Sequence, residues 1–342
     1  MMRVCIAGNS GHGLSILESP ESLEKVEVVG YCRTYEGERL TALREAFGDL
    51  HKELPFYQDY RQMLDETKPD VVVVDGMFCD HAGLAIEALK REMHVYCEKP
   101  LATEAESLEE MRQVLAAGRG KIFAMQSLRY LSWFYTAKQL ADEGRVGDVR
   151  MINVQKSYKL GKREAFFKNR QTYGGTIPWV AIHGIDLILW ITGRRVTGLQ
   201  AFQSKAYNFN HGDLETTAVC NYMLEDEIVA NLQADYYRVS TAPGHSDDRL
   251  RIVGTKGTIE VRTDKVFLTN QAGNEQVIPL LAPPVMFEDF LGYLKGDTES
   301  LNNTESSLYT TEIALLTRQA AESGKLIRCE VPQRKGTSDI IA

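Results

Sequence analysis

The sequence predicts an α/β plus α+β protein: an N-terminal Rossmann-type doubly wound parallel sheet, then a domain with an open, mainly antiparallel sheet and flanking helices. Three observations carry this expectation. Short β-rich runs alternate with helical patterns through the first third of the chain. A glycine-rich turn directly follows the first of those runs. Beyond about residue 125 the rhythm changes to a succession of strands separated by turn signals.

In order, the strand patterns of the first part fall at residues 3–7, 26–32, 70–75, 94–97 and 121–125. Val71, Val72, Val73 and Val74 form a continuously apolar run, as a strand buried on both faces requires. Helical periodicity separates these runs at residues 38–47, 60–66, 84–92 and 108–117. In the second part, a helix at 136–143 leads to an alternating strand at 149–158. A loop rich in Lys, Arg and Gly (160–175) and a helix at 182–192 follow. Strands are then expected at 199–207, 215–223, 227–236, 249–253, 258–262 and 265–268. Helices at 286–294 and 305–323 and a short strand complete the chain. The expected division is a dinucleotide-binding domain at 1–122 and a substrate-binding and oligomerisation domain at 123–342.

Composition narrows the function. A net charge of −8 argues against a general binder of nucleic acid or anionic membranes, both of which need a positive field. No apolar run approaches the ~20 residues of a membrane-spanning helix. The opening residues lack an export-signal pattern, and the six cysteines are scattered without CxxC spacing, so reduced thiols and a cytoplasmic location are expected. Zinc-ligand spacing, a Walker A lysine loop and a G-x-S-x-G elbow are all missing, which disfavours metal-dependent and serine-hydrolase chemistry.

The turn Gly8-Asn9-Ser10-Gly11-His12-Gly13 is a G-x-S-x-x-G version of the dinucleotide fingerprint. Its first glycine permits the tight turn and its last permits close packing of helix on strand. The helix N-terminus is then expected to face a pyrophosphate. Ser10 occupies the position where backbone approaches phosphate. About 20 residues onward, where an acid would hold the ribose of NAD, stands Arg33, followed by Thr34. An arginine there favours the 2′-phosphate of NADP. The alternative is a surface arginine beside a carboxylate, Glu36 or Glu38, serving NAD.

The strand at 94–97 ends in Glu98-Lys99-Pro100, which aims Lys99 at the crevice beyond the carboxyl ends of the strands. This phrase, with the glycine loop, "SLRY" at 127–130, "HGIDLILWITG" at 183–193 and "RIVGTKGTIEV" at 251–261, resembles the Gfo/Idh/MocA oxidoreductases in order and spacing from about residue 3 to 330. The resemblance implies that Lys99 is the catalytic lysine beside a nicotinamide, that Glu98 is the acid next to it, and that a cis bond precedes Pro100. It implies that His183 is the active-site histidine, suited to take a hydroxyl proton as hydride leaves. Asp186, three residues on, could orient that ring. Where the family usually carries an Asp four residues before the histidine, this chain has Trp179, which would offer an apolar stacking face.

Further cleft candidates are Arg129 and Tyr130, which resemble cleft-lining residues, and Tyr158, Lys159, Arg163, Lys168, Arg170 and Tyr173 on or near a cationic loop that could cap a carboxylate or phosphate. Tyr236 and Tyr237, with His245, Asp247 and Asp248, could meet a sugar ring or simply pack. His81 could sit beside the nicotinamide or cap its helix. The expected activity is interconversion of a secondary hydroxyl and a ketone on a sugar, cyclitol or related molecule. Lys99 would stabilise the oxygen and His183 exchange the proton. Relatives of this family also include regulatory dinucleotide sensors and redox-neutral NAD-dependent glycosidases. A homodimer or homotetramer through the second-domain sheet is expected, since so broad a sheet rarely stays bare.

Overall fold

The computed structural model describes residues 1–48, 53–297 and 299–330; the stretch 331–342 of the expected second domain lies outside the described residues. The first body is a parallel sheet of β1 (Met2–Ala7), β2 (Val26–Cys32), β3 (Phe56–Tyr57), β4 (Val71–Val74), β5 (His94–Cys97) and β6 (Ile122–Ala124). Its spatial order is β3-β2-β1-β4-β5-β6, so the order reverses between β1 and β4. That reversal opens a crevice at the carboxyl ends of the strands. Every residue of β4 is fully buried, which accounts for its four valines. β3, only two residues long, carries too little pattern to be anticipated.

The crossover from β1 to β2 differs from expectation. In place of one helix after the glycine loop there is a five-residue 3-10 turn, Gly13–Leu17, and then α1 (Pro20–Lys25). Ser19 caps α1 by accepting the Ser22 N–H, and Pro20, which has no N–H to give, separates the two pieces. No long helix therefore directs its dipole at the loop. The remaining crossovers are α2 (Thr41–Phe47), α3 (Tyr60–Thr67), α4 (His81–Leu89) and α5 (Ala105–Ala117).

In the second body, α6 (Ser132–Asp142), β7 (Val149–Tyr158), a single turn α7 (Arg170–Tyr173) and α8 (Ile182–Thr192) precede most of the sheet. The strands β8 (Val196–Ser204), β9 (Thr217–Leu224), β10 (Val229–Asp235), β11 (Ser246–Gly254), β12 (Gly257–Arg262), β13 (Lys265–Asn270) and β14 (Gly273–Ile278) follow. Then come α9 (Met286–Leu294), α10 (Thr304–Ser323) and β15 (Ile327–Arg328). The nine strands are ordered β14-β13-β12-β11-β7-β10-β9-β8-β15. Among the described residues of this sheet, only the β7–β10 pair is parallel.

Along β9 the residues alternate strictly, with Ala218, Cys220, Tyr222 and Leu224 buried and Val219, Asn221 and Met223 exposed. The buried face carries α8 and α10. On the bare face Phe202, Val219, Met223 and Val229 are 57%, 39%, 44% and 40% exposed. One helical stretch, Arg170–Thr192, is long and apolar enough to cross a membrane, but 94% of its most apolar window is buried inside the fold, which makes it a core helix.

The last two helices reach back to the parallel sheet. Phe287 and Phe290 of α9 pack on Tyr96 and Phe123 of the parallel sheet at ring separations of 5.1 to 5.3 Å. Glu288 accepts hydrogen bonds from Ser19 and Ser22, so α9 supports the broken β1–β2 crossover. The edge strand β6 finds its missing partners around the start of α10: Asn302 donates to the Ala124 carbonyl, Thr304 donates to that of Ile122, and Ser307 accepts the Ala124 N–H. An amphipathic helix pattern shows that one face must be covered, but not which of two sheets covers it.

Candidate active site

The glycine loop is fitted against the neighbouring strand ends. Gly8 has φ of +88°, and a side chain on it would come within 2.7 Å of the Asp75 carbonyl and the Gly76 backbone. A Cβ on Gly11 or Gly13 would meet carboxylate oxygens of Asp75 or Glu98 at 2.6 to 2.7 Å. The backbone N–H groups of Asn9, His12 and Gly13 donate to Glu38 (2.9 Å), Glu98 (2.8 Å) and Asp75 (2.9 Å). Ser10 donates its N–H to the Asp75 carbonyl and its hydroxyl to Glu38. These loop amides are thus bonded to carboxylate and carbonyl oxygens of the neighbouring segments. Burial, with Glu98 adding to it, pushes Asp75 well above the usual carboxylate range and limits the negative charge under the loop.

At the end of β2 the buried charge belongs to Glu38, which accepts from the Thr34 N–H (2.7 Å) and hydroxyl (3.1 Å) as well as from the loop. Arg33 instead lies exposed, its guanidinium 5.6 Å from the Phe56 ring centre. The residue count singled out Arg33. Of the alternatives open in the sequence, Glu36 and Glu38, the folded chain brings Glu38, five positions after Arg33, into that corner.

Lys99 leaves β5 across a cis bond to Pro100 and is 1% exposed. Its ammonium donates to the Trp179 carbonyl (2.9 Å), lies 3.2 Å from the Trp179 ring centre and stands 3.6 Å from Glu98. Burial pushes the amine down to about 7, against the upward pull of Glu98. Burial opposes ionisation of Glu98 too, yet His12 and Lys99 hold that carboxyl down to about 2. His12, whose side chain is 45% exposed, approaches Glu98 at 2.6 Å through Nδ1.

Trp179 stands in a π-helical turn, Ile177–Ala181, just before α8. Its ring stacks on Phe78 at 3.8 Å and 17°, with Lys99 also at the ring. With these neighbours the indole presents no open stacking face for substrate, contrary to expectation. Phe166 and Phe167 pack edge-on against Phe78 at 5.0 and 5.3 Å, and Phe167 also meets Trp179. The loop over this region is therefore pinned by aromatic rings rather than by its cations.

His183 is 1% exposed, and neither ring nitrogen has a hydrogen-bond partner among the described residues. Burial pushes the imidazole well below its usual range, with the charges of Lys99, Lys156 and His12 pushing the same way. Gly184 lets α8 approach the sheet so closely that a Cβ there would collide with Leu232 of β10 at 2.3 Å and press on Val154 of β7 at 3.1 Å. That approach seats His183 over the sheet. Lys156 of β7, absent from the sequence-based site, lies beside it. It is 2% exposed and ion-paired to Asp248 at 2.5 Å, while Asp248 Oδ1 is buried without a partner among the described residues. A signal was available: in the alternation of β7, Lys156 occupies the same inward face as Ile152 and Val154.

Several candidates have other duties. Arg129 donates to both carboxylate oxygens of Asp186 at 2.8 and 2.6 Å, and also to the Leu301 carbonyl. It is a buried strut rather than a cleft residue, and Asp186 is thereby unavailable to orient His183. Tyr130 donates to Asp289 at 2.6 Å. His81 is fully buried with Nδ1 2.8 Å from the Pro100 carbonyl and Nε2 3.1 Å from that of Gly76, so neither nitrogen is free for a cofactor. Tyr236 is buried, and its hydroxyl shares a 2.9 Å hydrogen bond with that of Tyr173. Tyr158 does lie at the site, its ring 4.5 Å from the Lys156 ammonium and 4.9 Å from the His245 ring.

Two family profiles match the chain: an oxidoreductase family with an NAD-binding Rossmann fold over residues 3–127, and a GFO/IDH/MocA C-terminal domain over 134–260. A solved Thermotoga maritima structure, provisionally named an oxidoreductase, is 42% identical; the match covers 96% of this chain and 100% of that one, with a TM-score of 0.92. An uncharacterized oxidoreductase of Bacillus subtilis, YrbE, is 26% identical over 223 residues, 63% of this chain and 61% of the relative. The chain thus aligns with less than two thirds of that relative's length. Inositol 2-dehydrogenase 2 of Saccharopolyspora erythraea is 24% identical over 241 residues, 70% of this chain and 67% of that protein.

Proposed function

This chain belongs to the Gfo/Idh/MocA oxidoreductases, and from that premise we propose that it is a nicotinamide-dependent dehydrogenase interconverting a secondary hydroxyl and a ketone on a sugar, cyclitol or related polyol. The observation that carries this reading is the buried Lys99, tuned to about 7 and held next to an unpartnered, neutral His183. When bound, the nicotinamide supplies or accepts the hydride. The loop from Gly8 to Gly13, with Glu38, would hold the dinucleotide. Lys99 in its amine form accepts the hydroxyl proton during oxidation, and its ammonium returns a proton to the carbonyl oxygen during reduction.

The environments of the two groups exchange the roles first expected of them. An amine poised near 7 is the better proton exchanger at neutral pH, whereas an imidazole held far below its usual range is a poor base. His183 is left as a neutral hydrogen-bonding partner for substrate hydroxyls. The direct test follows nicotinamide absorbance with the full chain against polyols, cyclitols, keto-sugars and their acids. Tight copurifying coenzyme, turnover of glycosides and no net redox change would defeat this reading.

For the coenzyme, the buried carboxylate of Glu38 in the ribose corner supports NAD over NADP, because a 2′-phosphate there would meet like charge. Wild type is expected to bind NAD at least about 10-fold more tightly than NADP, and Glu38→Gln to shrink that ratio. An NADP preference measured by calorimetry would return the role to Arg33.

For assembly, the bare apolar face around Val219, Met223 and Val229 supports a homodimer or homotetramer through the second-domain sheet. Light scattering is expected to give a multiple of 38.5 kDa, and Met223→Glu to shift the mass toward the monomer. A monomeric wild type would contradict this.

A further inference from the structure

Arg163, on the loop after β7, stands beside the site without a counter-ion among the described residues. Its guanidinium lies 5.1 Å from the Tyr236 ring centre and 5.4 Å from that of Phe167, on the wall that also carries Tyr158. Its only hydrogen bond among the described residues runs to the Lys159 carbonyl at 3.1 Å, and Nε is buried without a partner. The nearby cations are placed differently. Lys156 is paired with Asp248, Arg238 with Asp247, and Arg170 with Glu215, while Lys168 is exposed. Lys159 gives its ammonium to the Ala242 carbonyl.

Arg163 lies close enough for its charge to act on Lys99, Tyr158, Tyr173, Tyr236 and His245. A half-buried guanidinium with a dry, unsatisfied donor is costly unless something else supplies the acceptor. Among the described residues, Asp248 Oδ1 and both nitrogens of His183 are buried polar atoms that also lack partners. Such a set asks for one anionic group and neighbouring hydroxyls.

We propose that the substrate is an anionic polyol: a hydroxylated ring or chain whose carboxylate or phosphate binds Arg163, while Asp248 and His183 take its hydroxyls. The proposal rests on the dehydrogenase reading and names its substrate class. The planar guanidinium fork can grip either oxyanion through two donors.

The test uses the full chain with coenzyme, comparing sugar acids such as gluconate and glucuronate, a sugar phosphate, and the matching neutral sugars and polyols. One of the anionic compounds is expected to exceed its neutral counterpart about 10- to 100-fold in kcat/KM, and which one wins separates carboxylate from phosphate. Arg163→Gln should raise KM for that compound by a similar factor with kcat nearly kept, and Arg163→Lys should recover part of the loss. If neutral polyols turn over as well as the anions, this proposal fails and the dehydrogenase reading survives. If nothing turns over, that reading fails. Calorimetric binding of the same compounds then decides the present one: anion-selective binding lost in a folded Arg163→Gln supports it, and any other pattern overturns it.

Discussion

Lys99→Met is expected to lower turnover about 10²- to 10⁴-fold while leaving a folded protein that still binds coenzyme. Methionine approximates the length of the lysine stem without its charge, and Glu98 keeps His12 at 2.6 Å as a partner, so the buried carboxylate is not stranded. Wild type should also show a pH signature that the variant loses. In the folded enzyme the amine titrates near 7, far below its usual value. Oxidation needs the neutral amine, so its kcat/KM should rise with pH through about 7 and then level off. Reduction needs the ammonium, so its rate should fall across the same interval. Equal turnover by wild type and Lys99→Met, or profiles flat through neutrality, would remove Lys99 from the chemistry.

The largest effect on stability is expected at Arg129 and Asp186. The pair is bidentate, 3% and 1% exposed, and extended by the Thr310 hydroxyl at 3.3 Å from Asp186. It ties α8 to the turn after β6 and, through the Leu301 carbonyl, to the approach to α10. Arg129→Leu strands a buried carboxylate and should cost about 3–5 kcal/mol, and the double variant Arg129→Leu/Asp186→Leu should regain much of that loss. Denaturant unfolding measures both. At temperatures where the single variant stays folded, its KM should be close to wild type. A sharp rise in KM with unchanged stability would put Arg129 back in the substrate cleft.

The residues that were legible beforehand share a property: their role follows from their place along a strand or at its end. The valines of β4 had to be buried on both faces. Gly8 had to take a positive φ at the end of β1, and Lys99 had to emerge from β5 into the crevice. Family likeness brought His183 to notice, and the fold seats it through the close approach of Gly184 to the sheet. Misreadings arose where a side chain had more than one place to go. Arg129 and His81 have chemistry suited to a cleft, but Arg129 is held by Asp186 and both His81 nitrogens lie against backbone carbonyls.

Order along the chain was therefore enough to establish two sheets of different kind, the dinucleotide loop and the strand-end lysine, because periodicity and turn chemistry are local. Other features depend on packing across long separations in sequence. Among these are the break after the glycine loop with α9 as its support, Glu38 rather than Arg33 as the buried charge in the ribose corner, and Trp179 stacked on Phe78. The same holds for the pairing of Lys156 with Asp248, which leaves Arg163 without a carboxylate among the described residues. Which charges neutralise one another, and which are left for a ligand, depends on distances of a few ångströms between segments that only the folded chain brings together.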